Sequence, residues 1–248
     1  MLPALFVAAL VGVGSALTLK TRDGGANVYT SCLTPNTVAL TFDDGPYQWS
    51  KNVTDLVTAS GGHCTFFVNG NNWDCIYGEA QRDSLAYAFK AGHQIANHGW
   101  AHADLTTLNT TQMDSEIKKV DDALRDILGI TPAYLRPPYG NYNDDVRAVA
   151  FARNKSLVIW DFDSGDSTGS TSTQSKQAYD DAKESSTGTL LALNHETSNS
   201  TVFEVLPYAI SALKQYGYKL VTVAECLGAG PAYTHVASPN KPNATWHC

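Results

Sequence analysis

The chain has 248 residues, 43% of them hydrophobic, and carries 17 Lys and Arg against 24 Asp and Glu. That length and apolar content suit one large domain with a buried core. A net charge of -7 leaves no basic excess to attract phosphate backbones, which excludes nucleic acid as an expected partner.

Residues Met1 to Ala16 are nearly all apolar or small and end in Gly14, Ser15 and Ala16, the pattern of a signal peptide. The run is shorter than the ~20 apolar residues that a membrane span needs. The expectation is therefore a protein secreted to the extracellular space or cell wall, without stable membrane association. An N-terminal segment follows over 17–31. From Cys32 to Gly228, short β-rich runs alternate with longer helical patterns, which predicts βα units, a mostly parallel sheet and an α/β barrel. Strands are expected at Val38–Phe42, Cys64–Val68, His93–Ala96, Tyr134–Leu135, Leu157–Phe162, Leu190–Leu193 and Lys219–Val223, one short of a regular eightfold barrel.

Between the strands, Met113, Ile117, Val120, Leu124 and Leu128 recur on one face of a helix over about Gln112 to Leu128. Thr111 and Asp114 are placed as its capping box, and Gly129 ends it. A second helix covers about Val202 to Tyr216, with Val205, Ala209, Leu213 and Tyr216 as its buried stripe and Gly217 as its stop. The Ser-, Thr- and Gly-rich stretch from Ser164 to Ser175 predicts a loop, and residues 229–248, which lack periodicity, a tail or linker.

Five cysteines make an odd set for an oxidising compartment. Cys32 precedes the first strand and Cys226 follows the last, so a disulfide between them would clamp the ends of the domain and contribute about 4 kcal/mol on the chain-entropy model. Cys64 sits in an apolar run and reads as packing; the pairing of Cys64, Cys75 and Cys248 stays open. Sequons at Asn52, Asn109, Asn154, Asn199 and Asn243 suit exposed, glycosylated positions.

Chemistry-bearing residues gather after the strands, where α/β barrels collect their active-site groups. Asp43 and Asp44 leave the first strand just before Gly45 and Pro46, so that one carboxylate can bind a metal while the other reaches a water. His98 and His102, four residues apart after the third, can meet one ion, and an Asp would complete a three-ligand set with an open position for water. Arg136 ends the fourth strand, held by Pro137 and Pro138 with the Tyr139 backbone N–H free to point inward. Asp161, Asp163 and Asp166 crowd the next, where three acids together need cations or polar partners. His195 ends the strand that carries Leu193. Each motif alone has a bland alternative, such as a turn, a surface acid or a structural histidine. Their convergence on five strand ends predicts a single site.

This ordered set, over roughly residues 32–228, resembles the polysaccharide deacetylases of carbohydrate esterase family four, fungal chitin deacetylases among them. The resemblance implies a distorted (β/α) barrel of about seven parallel strands with its active site at their C-terminal ends. It implies a divalent metal, usually zinc, with cobalt or another transition ion as a substitute, held by Asp44, His98 and His102. Asp43 would be the catalytic base and Arg136 its orienting partner. His195 would be the catalytic acid and Asp163 the carboxylate that holds it. Tyr139 would offer a backbone donor, and Leu193 would line the acetyl pocket. Where relatives have Asp-x-x-Asp-Trp, this chain has Asp163-Ser164-Gly165-Asp166-Ser167, so an aromatic wall is either missing or supplied by Trp160. Glu196 also stands where an Asp often follows the histidine. The implied activity is hydrolysis of N-acetyl groups on chitin or another acetylated polysaccharide by a monomer. The rival readings are an acetylxylan esterase and a catalytically silent carbohydrate-binding protein that stacks sugars on Trp49, Trp73, Trp100 and Tyr142.

Overall fold

The computed structural model describes residues 24–185 and 188–248; the expected signal peptide lies outside them. In chain order come β1 (Val28–Tyr29), β2 (Thr37–Gly45), α1 (Ser50–Ala59), β3 (Thr65–Val68), α2 (Glu79–Lys90), β4 (Gln94–Asn97), α3 (Thr110–Leu128), β5 (Ile130–Pro132) and β6 (Tyr134–Leu135). Then follow α4 (Asp144–Ala152), β7 (Ser156–Val158), β8 (Phe162–Asp163), α5 (Ser172–Ser185), β9 (Thr189–His195), α6 (Leu206–Gln215), β10 (Lys219–Leu220), α7 (Val223–Leu227) and β11 (Tyr233–Val236).

Nine strands form one sheet in the order β1-β7-β6-β4-β3-β2-β9-β8, with β10 also on β2. All its pairings are parallel. The sheet curls into a half-barrel, as the distorted-barrel expectation required. β2 is flanked on both edges and buried on both faces, which explains its nearly continuous apolar run. Side chains alternate across the sheet. Val38, Leu40, Phe42, Phe66 and Ile95 pack with α1, α2, α3 and α6, while Ala39, Phe67, Ala96, Tyr134 and Leu191 pack on the other face beside Cys32 and Cys226.

The single strand expected over Leu157–Phe162 is two. β7 pairs with β1 and β6, whereas β8 pairs with β9, at the opposite end of the sheet. Residues 159–161 therefore bridge the gap between the two edges: Ile159 N–H donates to the Tyr29 carbonyl and Asp161 N–H to that of Leu191. Within the run, which is apolar from Leu157 to Trp160, only Asp161 marks this break.

α3 begins two residues earlier than expected, and its capping box is Asn109 with Gln112, not Thr111 with Asp114. Gly129 ends it in the left-handed region, at φ 75°. The helix expected from Val202 opens with a π-helical turn, Thr201–Val205, before α6; Pro207 in its first turn has no N–H to give an α-type bond. The loop expected to Ser175 ends earlier, since α5 starts at Ser172.

Both boundaries set at 32 and 228 are too narrow. Ala26 is buried and Val28 and Tyr29 form a strand. Beyond 228, β11 pairs antiparallel with β5, Trp246 stacks 5.5 Å from Tyr77, and Cys248 is bonded to Cys75. The expected tail is part of the packed unit. Cys32 and Cys226 form the expected disulfide, with Cα atoms 5.0 Å apart, and Cys64 is free and buried. All five sequon asparagines are exposed.

Candidate active site

β2 delivers two carboxylates in different directions. Asp43 keeps the strand geometry and is 2% exposed. Asp44 turns into the left-handed region, φ 73°, which an L-residue adopts only when its surroundings demand it. Its Oδ1 then lies 3.3 Å from His102 Nε2 and 3.7 Å from His98 Nε2. Gly45 must be glycine, because a Cβ there would stand 1.3 Å from Glu196 Oε1.

Asp44, His98 and His102 each offer one ligand atom, and these lie within 4.8 Å of one another. His98 Nδ1 is 2.8 Å from the Arg136 carbonyl. A carbonyl only accepts, so Nδ1 carries the proton and Nε2 presents its lone pair to Asp44, the tautomer that a metal requires. Burial lowers the His98 pKa to about 3 and keeps the ring neutral. Two imidazole nitrogens and one carboxylate around a shared point suit a borderline divalent ion, leaving a fourth position for water or substrate.

Arg136, just after β6, is fully buried, and each of its three side-chain nitrogens donates a hydrogen bond. Its Nη1 donates to Asp43 Oδ1 (2.8 Å) and Thr41 Oγ1 (2.6 Å); its Nε and Nη2 donate to the carbonyls of Val158 and Ile159, where β7 leaves the sheet. One guanidinium thus orients Asp43 and seals the barrel opening. Burial raises the Asp43 pKa against the pull of Arg136 and His195.

Opposite, β9 ends at His195, paired in register with Asp43. The carboxylate that holds it is Asp166, not the expected Asp163. Asp166 Oδ1 lies 2.7 Å from His195 Nδ1, and Oδ2 accepts from the His195 N–H and from Thr201 Oγ1, both at 2.7 Å. Asp163 is exposed at the end of β8 and accepts from Gly165 N–H (2.8 Å). That bond forms the turn at Gly165, φ 73°, which brings Asp166 beneath the histidine. Asp161 accepts from Leu191 N–H. The three acids therefore have three separate partners. Burial disfavours the His195 imidazolium, but its Asp166 hydrogen bond and the charges of Asp166, Asp43 and Asp44 outweigh it and raise its pKa to about 9.

These residues share a pocket of about 350 Å³, lined also by Tyr139, Gly140, Trp160, Asp163, Ser167 and Leu193. Tyr139 is in the left-handed region, φ 61°, with its ring 4.6 Å from that of His102. Trp160 lies against Gly140, where a Cβ would come within 2.8 Å of its ring. It lines the pocket as an aromatic wall, and Ser167 lines it too. A wider depression of about 580 Å³, lined by Asp114, Arg125, Arg153 and His235, lacks such a cluster, and its Arg153 is already held by Asp114. Of the four aromatics considered for sugar stacking, Trp73 and Tyr142 are exposed, whereas Trp49 and Trp100 pack on the core. Sequence reading missed Asn72, which donates to Asp44 (3.3 Å), and Asn69, which donates to the carbonyls of His98 and Gly99. Both follow β3 in a run of polar residues with no motif of its own.

Comparison with known proteins gives a consistent picture. Residues 30–158 match the family model of polysaccharide deacetylases. A chitin deacetylase from a Pestalotiopsis species is 35% identical over 246 residues, covering 94% of this chain and 78% of that protein. Another from Colletotrichum lindemuthianum is 31% identical over 230 residues, covering 90% and 93%. The solved structure of the chitin deacetylase from Colletotrichum lindemuthianum superposes with a TM-score of 0.80 at 28% identity, over 85% of this chain and 96% of that one.

Proposed function

The chain belongs to the polysaccharide deacetylase family, and from that premise we propose that it hydrolyses the N-acetyl groups of N-acetylglucosamine residues in chitin or its oligomers, releasing acetate. The observation that carries this reading is the meeting, in one pocket, of Asp43 held by Arg136, His195 held by Asp166, and the ligand set Asp44, His98 and His102.

An amide is a poor electrophile with a poor leaving group, so its hydrolysis needs both a base and an acid. A divalent ion, zinc by preference and cobalt or another transition metal as substitute, would be held by Asp44, His98 and His102 and would polarise the acetyl carbonyl and acidify a water. Asp43 takes the proton from the attacking water, its free Oδ2 facing the ligand set while Arg136 fixes Oδ1. His195, protonated at neutral pH through Asp166, gives its proton to the departing sugar nitrogen. The Tyr139 backbone N–H would donate to the oxyanion, a contact typically worth about 3 kcal/mol. Leu193 and Trp160 enclose the methyl group.

The two disulfides suit an oxidising compartment, and no helix among the described residues is long and apolar enough to cross a membrane. Secretion of a monomer acting on an extracellular or cell-wall polymer completes the proposal. The test is acetate release from N-acetylglucosamine oligomers and from acetylated xylan by zinc-loaded and chelator-treated protein, with Asp43→Asn as control. Metal-dependent release from the oligomers supports the reading. Release from xylan alone makes the protein an esterase, and binding without release makes it a silent lectin-like protein.

A further inference from the structure

Behind the ligand set lies a buried polar network that the proposed chemistry does not use. Asn97, the last residue of β4, is 0% exposed, and its side-chain amide is fully engaged. Nδ2 donates to the Ile117 carbonyl and to Asp121 Oδ1, and Oδ1 accepts from Gly99 N–H, each at 2.9 Å. The Asn97 carbonyl accepts from Arg136 N–H at 3.0 Å, and the Arg136 carbonyl in turn faces His98 Nδ1. One residue thus ties together the peptides on both sides of His98.

What holds Asn97 is a buried ion pair, with Arg153 Nη1 4.0 Å from the other oxygen of its carboxylate, Asp121 Oδ2. Asp121 of α3 is 3% exposed, and Lys155, just before β7, is 1% exposed. Lys155 Nζ lies 2.8 Å from Asp121 Oδ1 and 2.7 Å from the Pro132 carbonyl. A fully buried ammonium is rare, and a buried pair repays its desolvation only when its geometry and further hydrogen bonds are good. An apolar pair would fill this space at no such cost, but it would leave the Asn97 amide only the Ile117 carbonyl as acceptor. One of the two bonds that fix the amide would be lost, loosening its hold on the Gly99 N–H at the φ 76° turn that directs His98.

We propose that Asn97, clamped by the Asp121–Lys155 ion pair, is a positioning residue for the metal site: it fixes the His98–Gly99 turn and so the direction of His98 Nε2. This rests on the reading of Asp44, His98 and His102 as metal ligands. Outer hydrogen bonds of this kind typically change metal affinity by about 10–100-fold.

The test is zinc affinity by chelator competition, independent of substrate. Asn97→Ala and Asp121→Leu are expected to raise the zinc Kd by about 10–100-fold, and added zinc should restore their turnover. Asp121→Asn, whose Oδ1 can still accept from both neighbours, should lower Tm because the Lys155 ammonium loses its counter-charge, yet raise the Kd less than Asp121→Leu does; an equal rise would remove the hydrogen bond to Asn97 from the account. Leu124→Ala, which weakens α3 from its core face, should lower Tm and leave the Kd unchanged; a parallel loss of affinity there would reduce the network to general stability and overturn the proposal. Where the substituted proteins fail to fold, hydrogen exchange on the unsubstituted metal-free protein decides. A protected Gly99 amide supports the clamp, and one exchanging like an open loop refutes it. Normal zinc affinity in folded Asn97→Ala overturns this inference alone. Absence of zinc binding by the unsubstituted protein overturns the metal-site reading with it.

Discussion

On the β2 side of the pocket, Asp43 and Arg136 both stand at strand ends, with side chains 2% and 0% exposed. On the β9 side, His195 also stands at a strand end, but its partner Asp166 arrives on the turn after β8, and the imidazole is 13% exposed. The electrostatic outcomes differ accordingly. Burial dominates at Asp43 and raises its pKa despite the guanidinium. At His195 burial again opposes charge, but the hydrogen bond and surrounding carboxylates prevail and carry the pKa to about 9. A carboxylate made more basic accepts a proton more readily, and an imidazolium held to high pH keeps one to give. Two acid–base groups with environments tuned in this way are what a paired base and acid need.

The largest effect expected is at the base. Asp43→Asn keeps the volume and removes the proton acceptor, so kcat should fall by about 10³–10⁴-fold, at the upper end for general base catalysis, with zinc binding retained. Steady-state kinetics with metal analysis check this, and normal turnover would remove Asp43 from its role. Next comes Arg136→Met. It leaves the Asp43 carboxylate unpaired in the interior and two carbonyls without their donor, a change that typically costs about 3–5 kcal/mol of stability. Chemical denaturation should show a loss of that size; a change under about 1 kcal/mol would mean that the β2 side is less rigid than its hydrogen bonds indicate.

Much of this architecture can be read from the residues because a parallel sheet places its motifs in chain order at one edge. Asp43, Asp44, His98, His102, Arg136 and His195 each follow one of the expected strands, and the structure brings all six into one site. Illegible parts share a physical cause: their signal lies in a partner distant in sequence. β1 and β11 stand outside the alternation of strands and helices and are held by β7 and β5, far off in the chain. Residues 229–248 are aperiodic because they are held by Cys75, Tyr77 and β5 and not by a stripe of their own. α2 and α5 are largely polar outside one narrow face, so neither stood out. The choice between Asp163 and Asp166 depended on the backbone at Gly165, which the spacing of three acids does not specify.

That choice yields the sharpest and smallest predictions together. Asp166→Asn removes the partner that holds the His195 proton, so kcat/KM should fall by about 10²-fold. The pH profile carries the sign. The active form has His195 protonated, so activity is expected to fall as pH rises through about 9, or somewhat lower when a cation offsets Asp44. Without Asp166, its hydrogen bond and charge no longer offset burial, which leaves only Asp43 and Asp44 to favour the imidazolium, and the fall should move to lower pH. Asp163→Asn should instead leave that limb in place and change kcat/KM by no more than about threefold, because the Asp163 carboxylate bonds the Gly165 N–H, not His195, and an amide oxygen can accept the same bond. Parallel pH profiles of the two variants separate the cases. If Asp163→Asn displaced the basic limb while Asp166→Asn did not, the acid would be held by the end of β8, and the turn at Gly165 would lose its part in the chemistry.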